Sequence, residues 1–125
     1  MPKQEGQKSK LVTLLRILEQ RTDENHRLNV PQLVQLLENQ GILAERKSIY
    51  DDMEALRTLG MDVQSRKGKS PGWFLGERTF QLAELKLLVD AVQSSKFITQ
   101  RKSSELIRKL ESQASVHQAR QLQRQ

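Results

Sequence analysis

Cysteine is absent from this chain of 125 residues, and aromatic residues make up only 4% of it. Without cysteine, the protein has no disulfide bonds, no thiolate metal ligands and no cysteine nucleophile. Hydrophobic residues amount to 36% in total, so a core must be built mainly from leucine, isoleucine and valine. This balance favours helices packed on one another, and the length suits one small domain with or without a helical extension.

Long apolar runs and targeting signals are also missing. No stretch approaches the roughly 18 apolar residues that indicate a membrane-spanning helix. The first ten residues, M-P-K-Q-E-G-Q-K-S-K, contain no apolar core of the kind found in signal peptides. The sequence therefore predicts a soluble cytoplasmic protein with no membrane partner.

Residue patterns typical of enzymes are not present either. His26 and His117 are far apart in the sequence and lack the spacing of a metal site. The G-K-S of residues 68–70 resembles the end of a phosphate-binding loop, but Val63 stands where that motif requires glycine. No serine lies in a nucleophile elbow. We predict that the protein is not an enzyme and has no catalytic residues, cofactor or metal ion.

What the chain does have is an excess of positive charge. Lys and Arg number 21 against 15 Asp and Glu, which gives a formal net charge of +6. Such an excess raises the expectation of a polyanionic partner such as nucleic acid, although many basic proteins of this size bind none.

The first 41 residues predict a polar arm over residues 1–7 and then two amphipathic helices. The first helix begins near Ser9 and ends near Gln20, with leucines at helical spacing. The second begins after Asn29, which can cap it in a capping box with Gln32. Two further signals for this helix are Pro31 in its first turn and Gly41 at its end.

A third helix is predicted over residues 45–59, where apolar residues again recur at helical spacing. Only residues 42–44 separate it from the end of the second helix. Two helices joined by so short a turn cross steeply, as in a helix-turn-helix. After Gly60, alternating residues, the turn K-G-K-S-P-G and then W-F-L predict a small hairpin. Trp73 and Leu75 should face the core, and Phe74 the opposite side.

The helical pattern returns after residue 80. One stripe runs from Leu82 to Val92, Ser94–Lys96 suggests a break, and a second helix should begin near Thr99. The two helices together have more apolar surface than a small domain can bury. Residues 80–114 therefore form either a homodimer interface or a core of their own. Residues beyond Ser115 are expected to be helical only if something packs on them.

The predicted fold is therefore mainly α with a small β-hairpin: a winged helix-turn-helix over residues 8–78 and a two-helix extension over residues 79–125. In this plan the helix of residues 45–59 enters the major groove of double-stranded DNA, and the basic wing of residues 66–72 touches the backbone or minor groove. The candidate DNA-binding residues are Arg46, Lys47, Ser48, Tyr50 and Asp51 of the helix, Gln32 of the preceding helix, and Arg66, Lys67 and Lys69 of the wing.

Each candidate also has a simpler interpretation. Arg46 and Lys47 can form an ordinary solvated surface, and Tyr50 can pack over the wing instead of touching DNA. Asp51 can accept a hydrogen bond from a cytosine amino group, but it lies four residues after Lys47 and pairing with that lysine is the favoured interpretation.

Three strings together suggest a family. A-E-R-K-S-I-Y-D-D-M-E-A-L-R-T-L-G, the hairpin end G-W-F-L, and F-Q-L-A-E-L-K-L-L-V-D-A-V-Q-S-S-K-F-I-T followed by S-x-E-L-I-x-K-L resemble the N-terminal part of bacterial WYL-domain transcriptional regulators, which carry a DeoR-like winged helix-turn-helix. The resemblance runs from about residue 8 to the C-terminus. One departure is Asp51-Asp52, where the family commonly has Arg-Asp.

The resemblance implies sequence-specific DNA binding as a dimer, with a ligand-sensing WYL domain following the helical extension. That effector-sensing domain is absent from this chain, which is either a fragment of a longer regulator or a short form. A rival function is that of a winged-helix protein-interaction module, or of a short dimerisation partner that does not itself bind DNA. The residues with the most direct family match are Arg46, Lys47, Ser48 and Tyr50.

Overall fold

The computed structural model describes residues 3–123, with side chains from Ser9 onward. Over these residues the fold is mainly helical with a two-stranded antiparallel hairpin. None of the described helices is long and apolar enough to cross a membrane. The elements in chain order are α1 (Lys3–Arg21), α2 (Val30–Asn39), α3 (Arg46–Thr58), β1 (Val63–Arg66), β2 (Gly72–Leu75), α4 (Leu82–Ser94), α5 (Gln100–Glu111) and α6 (Val116–Gln123).

The first three helices and the hairpin enclose one aliphatic core, as the composition predicts. Each helix contributes residues from one face, because apolar side chains three or four positions apart lie on the same side. Val63, Trp73 and Leu75 of the hairpin close this core from one end. Its fully or almost fully buried helical members are Leu14, Ile17, Leu18, Leu33, Leu37, Ile49, Met53 and Leu56.

The predicted ends of the second helix are confirmed. The Asn29 side-chain oxygen accepts a hydrogen bond from the Gln32 backbone N–H at 2.9 Å, and the Gln32 side chain accepts one from the Asn29 N–H at 2.8 Å. This capping box satisfies two donors that a helix start otherwise leaves free. After α2 the chain turns at Gly41, whose φ is +79°. The helix α3 then begins within one residue of its predicted start.

The helix α1 begins earlier than predicted. It starts at Lys3, so the part of the predicted arm that the structure describes, residues 3–7, is helical. The apolar pattern gave no sign of this because the first turns contain no apolar stripe. Lysine, glutamine and glutamate favour helix, and extending an existing helix is much easier than starting one. Residues 1 and 2 of the predicted arm lie outside the described residues.

The hairpin is attached to the helices through its second strand. Trp73 donates its backbone N–H to the Leu28 carbonyl at 2.7 Å, and Leu28 donates to the Trp73 carbonyl at 3.0 Å. Gly72 makes this approach possible, because a Cβ at that position would lie 2.6 Å from the Leu28 carbonyl carbon. The segment before α2 is thus paired with the edge of β2 that does not face β1.

The predicted facing of the second strand is confirmed for two of its residues. Trp73 and Leu75 belong to the aliphatic core. Phe74 alternates to the opposite side, where it is nevertheless fully buried. The guanidinium groups of Arg27 and Arg66 lie 5.7 Å and 5.1 Å from its ring centre and cover it.

The C-terminal extension has three helices among the described residues, where the sequence predicted two. Leu122 is buried with Leu85 and Ala114 in a second small core, and this burial explains why α6 forms. The helices α4 and α5 end and begin at the predicted places, with Thr99 capping α5. Large apolar side chains remain in solvent here, notably Leu87 of α4 at 71% exposure and Phe97 of the connection between α4 and α5 at 99%.

Candidate nucleic-acid interface

The start of α3 and the turn of the hairpin form the two sides of one groove. Its volume is about 350 Å³, and the N-terminus of α2 forms its floor together with Trp73. The sequence-predicted residues that the structure brings together here are Arg46, Tyr50, Arg66 and Lys67. The remaining lining residues, which were not predicted as a site, are Asn29, Val30, Pro31, Ser65, Pro71, Gly72 and Trp73.

Tyr50 packs against the hairpin, which is one of the two roles that the sequence left open. Its ring meets the edge of Trp73 at 5.7 Å between ring centres, in a T-shaped arrangement. It remains 41% exposed toward the groove. The guanidinium of Arg46 lies 5.9 Å from the Tyr50 ring centre. Packing over the hairpin therefore orients the tyrosine and leaves it accessible to a partner.

The outward face of α3 is set by the burial of its other side. Ile49, Met53 and Leu56 are at most 2% exposed. At about 100° per residue, Lys47 and Asp51 lie almost opposite this buried stripe, and both are exposed. Neither residue lines the groove. The helix thus presents two distinct areas, a groove side with Arg46 and Tyr50 and a front with Lys47 and Asp51.

Two predicted contact residues are engaged in capping instead. The Ser48 hydroxyl donates to the Glu45 carbonyl at 2.8 Å and accepts from the Glu45 N–H at 3.2 Å, which stabilises the start of α3. Gln32 uses its side-chain oxygen in the capping box of α2, so only its amide NH₂ is left to meet a partner. Their first role is to hold the helix starts that face the groove.

The hairpin turn carries exposed cations, and hydrogen bonds hold the ends of its two strands in place. Lys67 and Lys69 are exposed on the turn, and Arg66 donates from Nη1 to the Gln64 side chain at 3.0 Å. The backbone N–H of Glu77 and the amide of Gln64 donate to the Asp62 carboxylate and hold its pKa below the ordinary value. An ionised Asp62 thereby clamps the two ends of the hairpin together.

The adjacent acids Asp51 and Asp52 have different surroundings. The Lys10 ammonium lies 2.7 Å from a carboxylate oxygen of Asp52 and is itself buried, so this ion pair ties α1 to α3. Among the side chains that the structure describes, Asp51 has no ion pair, and its predicted pairing with Lys47 is not present. Fixing an exposed lysine costs entropy that a solvated pair rarely repays.

A second polar cluster, which the sequence did not predict, joins the extension to the helical domain. The Asp23 carboxylate accepts hydrogen bonds from the Ser115 hydroxyl at 2.5 Å and from His26 Nδ1 at 2.8 Å. The His26 ring stacks on His117, with ring centres 3.6 Å apart and planes 4° from parallel. The two histidines, 91 positions apart in the sequence, are therefore direct neighbours.

The environment of Asp23 favours its ionised form. Burial acts to raise the pKa of this carboxyl group, but the hydrogen bonds from Ser115, His26 and the Asn25 N–H, together with the charge on His26, outweigh it. The pKa of Asp23 lies below its ordinary value as a result. Nearby, Arg78 donates to the Thr22 carbonyl at 2.6 Å, and burial lowers the pKa of this guanidinium.

Residues 9–123, whose side chains the structure describes, contain no group of three or more histidine, aspartate or glutamate side chains that could hold a metal ion. The groove is lined by cations, by aromatic rings and by the starts of α2 and α3. Comparisons with protein-family models, with curated proteins and with solved structures found no match to this chain.

Proposed function

We propose that this protein is a sequence-specific DNA-binding transcriptional regulator of the winged helix-turn-helix type. In this proposal α3 enters the major groove, and the hairpin turn of residues 67–71 is the wing that contacts the backbone or minor groove. The observation that carries the proposal is the groove between these two elements, which has Arg46 on one side and Arg66 and Lys67 on the other.

The geometry of the helices supports this function. An α-helix fits the width of the major groove, and residues on its exposed side reach base edges. The front of α3 is free of packing contacts because its other side fills the core. The resemblance of the chain to the N-terminal region of WYL-domain regulators points to the same function.

The residues divide into two kinds of contact. Arg46 and Lys67 line one groove from its two sides, as expected for side chains that straddle a phosphate backbone, while the guanidinium of Arg66 lies beside the groove over Phe74. Lys47 on the front of α3 is the candidate for a guanine, whose O6 and N7 atoms are acceptors in the major groove. Tyr50 lies between the two areas and can contact the sugar-phosphate backbone.

Removing the two cations at the start of α3 tests the proposal. The double variant Arg46→Ala/Lys47→Ala should lose at least about tenfold in affinity for a selected operator, because each lost contact is worth about 1–3 kcal/mol. Arg16→Ala/Arg21→Ala is the matched control, since it removes the same charge from exposed positions of α1 outside the groove. Gel-shift titration of both variants measures the difference.

Salt dependence separates this function from its rival. DNA binding releases counterions, so affinity should fall steeply as salt rises and less steeply in the double variant. A winged-helix module that binds a protein partner, or a short dimerisation partner that does not touch DNA, would give no operator in a selection. Equal affinity of the double variant and its control would overturn the DNA-binding assignment.

We also propose that the protein acts as a homodimer through residues 80–114. The helix α5 has its apolar residues on one side but buries none of them completely within the chain. With Leu87, Leu88 and Phe97, it leaves an apolar surface that water disfavours and a second copy would cover. A symmetric dimer would read two half-sites about 34–36 Å apart.

A further inference from the structure

The helix α3 carries three carboxylates, at Asp51, Asp52 and Glu54, and only one of them lacks a partner among the described side chains. Asp52 is paired with Lys10, and Glu54 is paired with Arg57 at 2.6 Å. Asp51 makes neither an ion pair nor a side-chain hydrogen bond within the described residues. Its carboxylate is therefore available to a partner from outside.

The position of Asp51 adds to its availability. The buried residues Ile49 and Met53 fix the rotation of the helix about its axis. Asp51 then lies on the outermost line of the helix, one turn after Lys47. A side chain on that line is the one that approaches the floor of a groove when the helix is inserted. It is further from the phosphates than side chains on the helix flanks.

We infer that Asp51 selects a cytosine in the operator, an inference that rests on the proposed DNA-binding function. A carboxylate only accepts hydrogen bonds, and cytosine offers an amino donor in the major groove. Guanine and thymine present acceptors there and repel it. Adenine places its N7 acceptor beside its amino group, which makes it a poorer partner for a carboxylate.

The cations around Asp51 reduce the electrostatic cost of bringing its carboxylate close to DNA. Lys47 lies on the same front, and Arg46, Arg66 and Lys67 line the adjacent groove. These cations offset the repulsion between Asp51 and the DNA backbone. The carboxylate then has a selective effect: it weakens binding to most bases and permits binding where a donor meets it.

The test is a selection from a random DNA pool with the wild-type protein and with Asp51→Asn. Asparagine reads adenine through its N6 and N7 atoms, so the variant should change one cytosine position of the motif toward adenine. The preference for cytosine at that position should fall by about 5- to 100-fold, while the other positions stay the same. Glu54→Gln is the control, because it removes the same charge from the same helix at a side chain that is already paired.

The outcomes distinguish this inference from the function on which it rests. If the wild-type protein enriches no motif, the proposed function fails, and the inference fails with it. If the wild-type protein enriches a motif and Asp51→Asn enriches the same one with the same base preferences, the DNA-binding proposal stands and the role of Asp51 is overturned. A variant that binds all sequences more tightly by the same factor also overturns it, since Asp51 would then only repel phosphate.

Discussion

The polar side chains that stabilise the ends and contacts of the helices have partners both near to them and far from them in the chain. The capping box was predicted from the four-residue pattern that runs from Asn29 to Gln32, and the structure contains it. The sequence pointed to Asp51 as the paired acid, but Lys10, 42 positions before Asp52, makes the ion pair with that neighbouring residue. A helical spacing rule can find partners within one helix only.

The lowered pKa of Asp23 leads to a prediction about how the stability of the protein depends on pH. Its pKa in the folded protein is depressed below 3.8, the ordinary value that applies when the chain is unfolded. The resulting stability is fully present above the unfolded pKa and is lost as the pH falls through the folded pKa. Asp23→Asn should therefore lose less stability than the wild type between about pH 6 and pH 3, measured by urea unfolding.

The comparison needs a carboxylate in a different environment. Asp90→Asn is suitable, since Asp90 is exposed on α4 and makes no ion pair among the described residues. This variant should follow the wild type over the whole pH range. Asp62, whose pKa is also lowered, leaves part of the acid dependence in place in Asp23→Asn. Identical acid curves for Asp23→Asn and wild type would contradict the account of the cluster.

At the scale of elements, periodicity and turn residues located most of the helices and the hairpin to within about two residues of where they are. The errors have physical causes. The first turns of α1 are polar and leave no stripe, and α6 exists because Leu122 finds a buried place against distant residues. The pairing of Leu28 with Trp73 was not predictable either, because its residues lie 45 positions apart and only the fold brings them together.

This pairing makes Gly72 the most sensitive glycine that we identify in the hairpin. Gly72→Ala places a methyl group 2.6 Å from the Leu28 backbone, which cannot move aside as a flexible side chain would. We expect a loss of about 2–4 kcal/mol in the free energy of unfolding, from overpacking and backbone strain together. Urea unfolding monitored by circular dichroism measures this loss.

Gly68→Ala separates the two contributions. Gly68 also has a positive φ, +103°, but a Cβ there would meet nothing within 4 Å. Replacing it should lower the free energy of unfolding by only about 1 kcal/mol, because only backbone strain is introduced. Equal losses for the two variants would mean that the close approach to Leu28 contributes nothing.

At the scale of the whole molecule, a polar cluster joins the extension to the helical domain. Asp23 and His26 belong to the loop after α1, whereas Ser115 and His117 belong to the start of α6. Two helices of the extension were predicted from the sequence but this contact was not, since histidine pairs have no sequence signature across 91 positions. Leu87 of α4 and Phe97 of the connection after it take no part in this cluster and remain an exposed apolar surface.

That surface leads to a prediction about assembly. The double variant Leu87→Ser/Phe97→Ser should shift the protein from dimer to monomer in sedimentation experiments, because it removes two large exposed apolar side chains. Leu43→Ser is the control, an exposed leucine outside residues 80–114 that should leave the dimer intact. A wild-type protein that sediments as a monomer at micromolar concentration would rule out the dimer proposal.

Trp73 is the only tryptophan in the chain, and it lines the groove between α3 and the hairpin turn. Its indole has Tyr50 at its edge and the Arg57 guanidinium 5.4 Å from its ring centre. Tryptophan emission depends on the charges and solvent around the ring, so the intrinsic fluorescence of this protein originates almost entirely at its candidate binding site. The molecule thus carries an optical probe within the lining of its candidate binding site, and its signal needs no label.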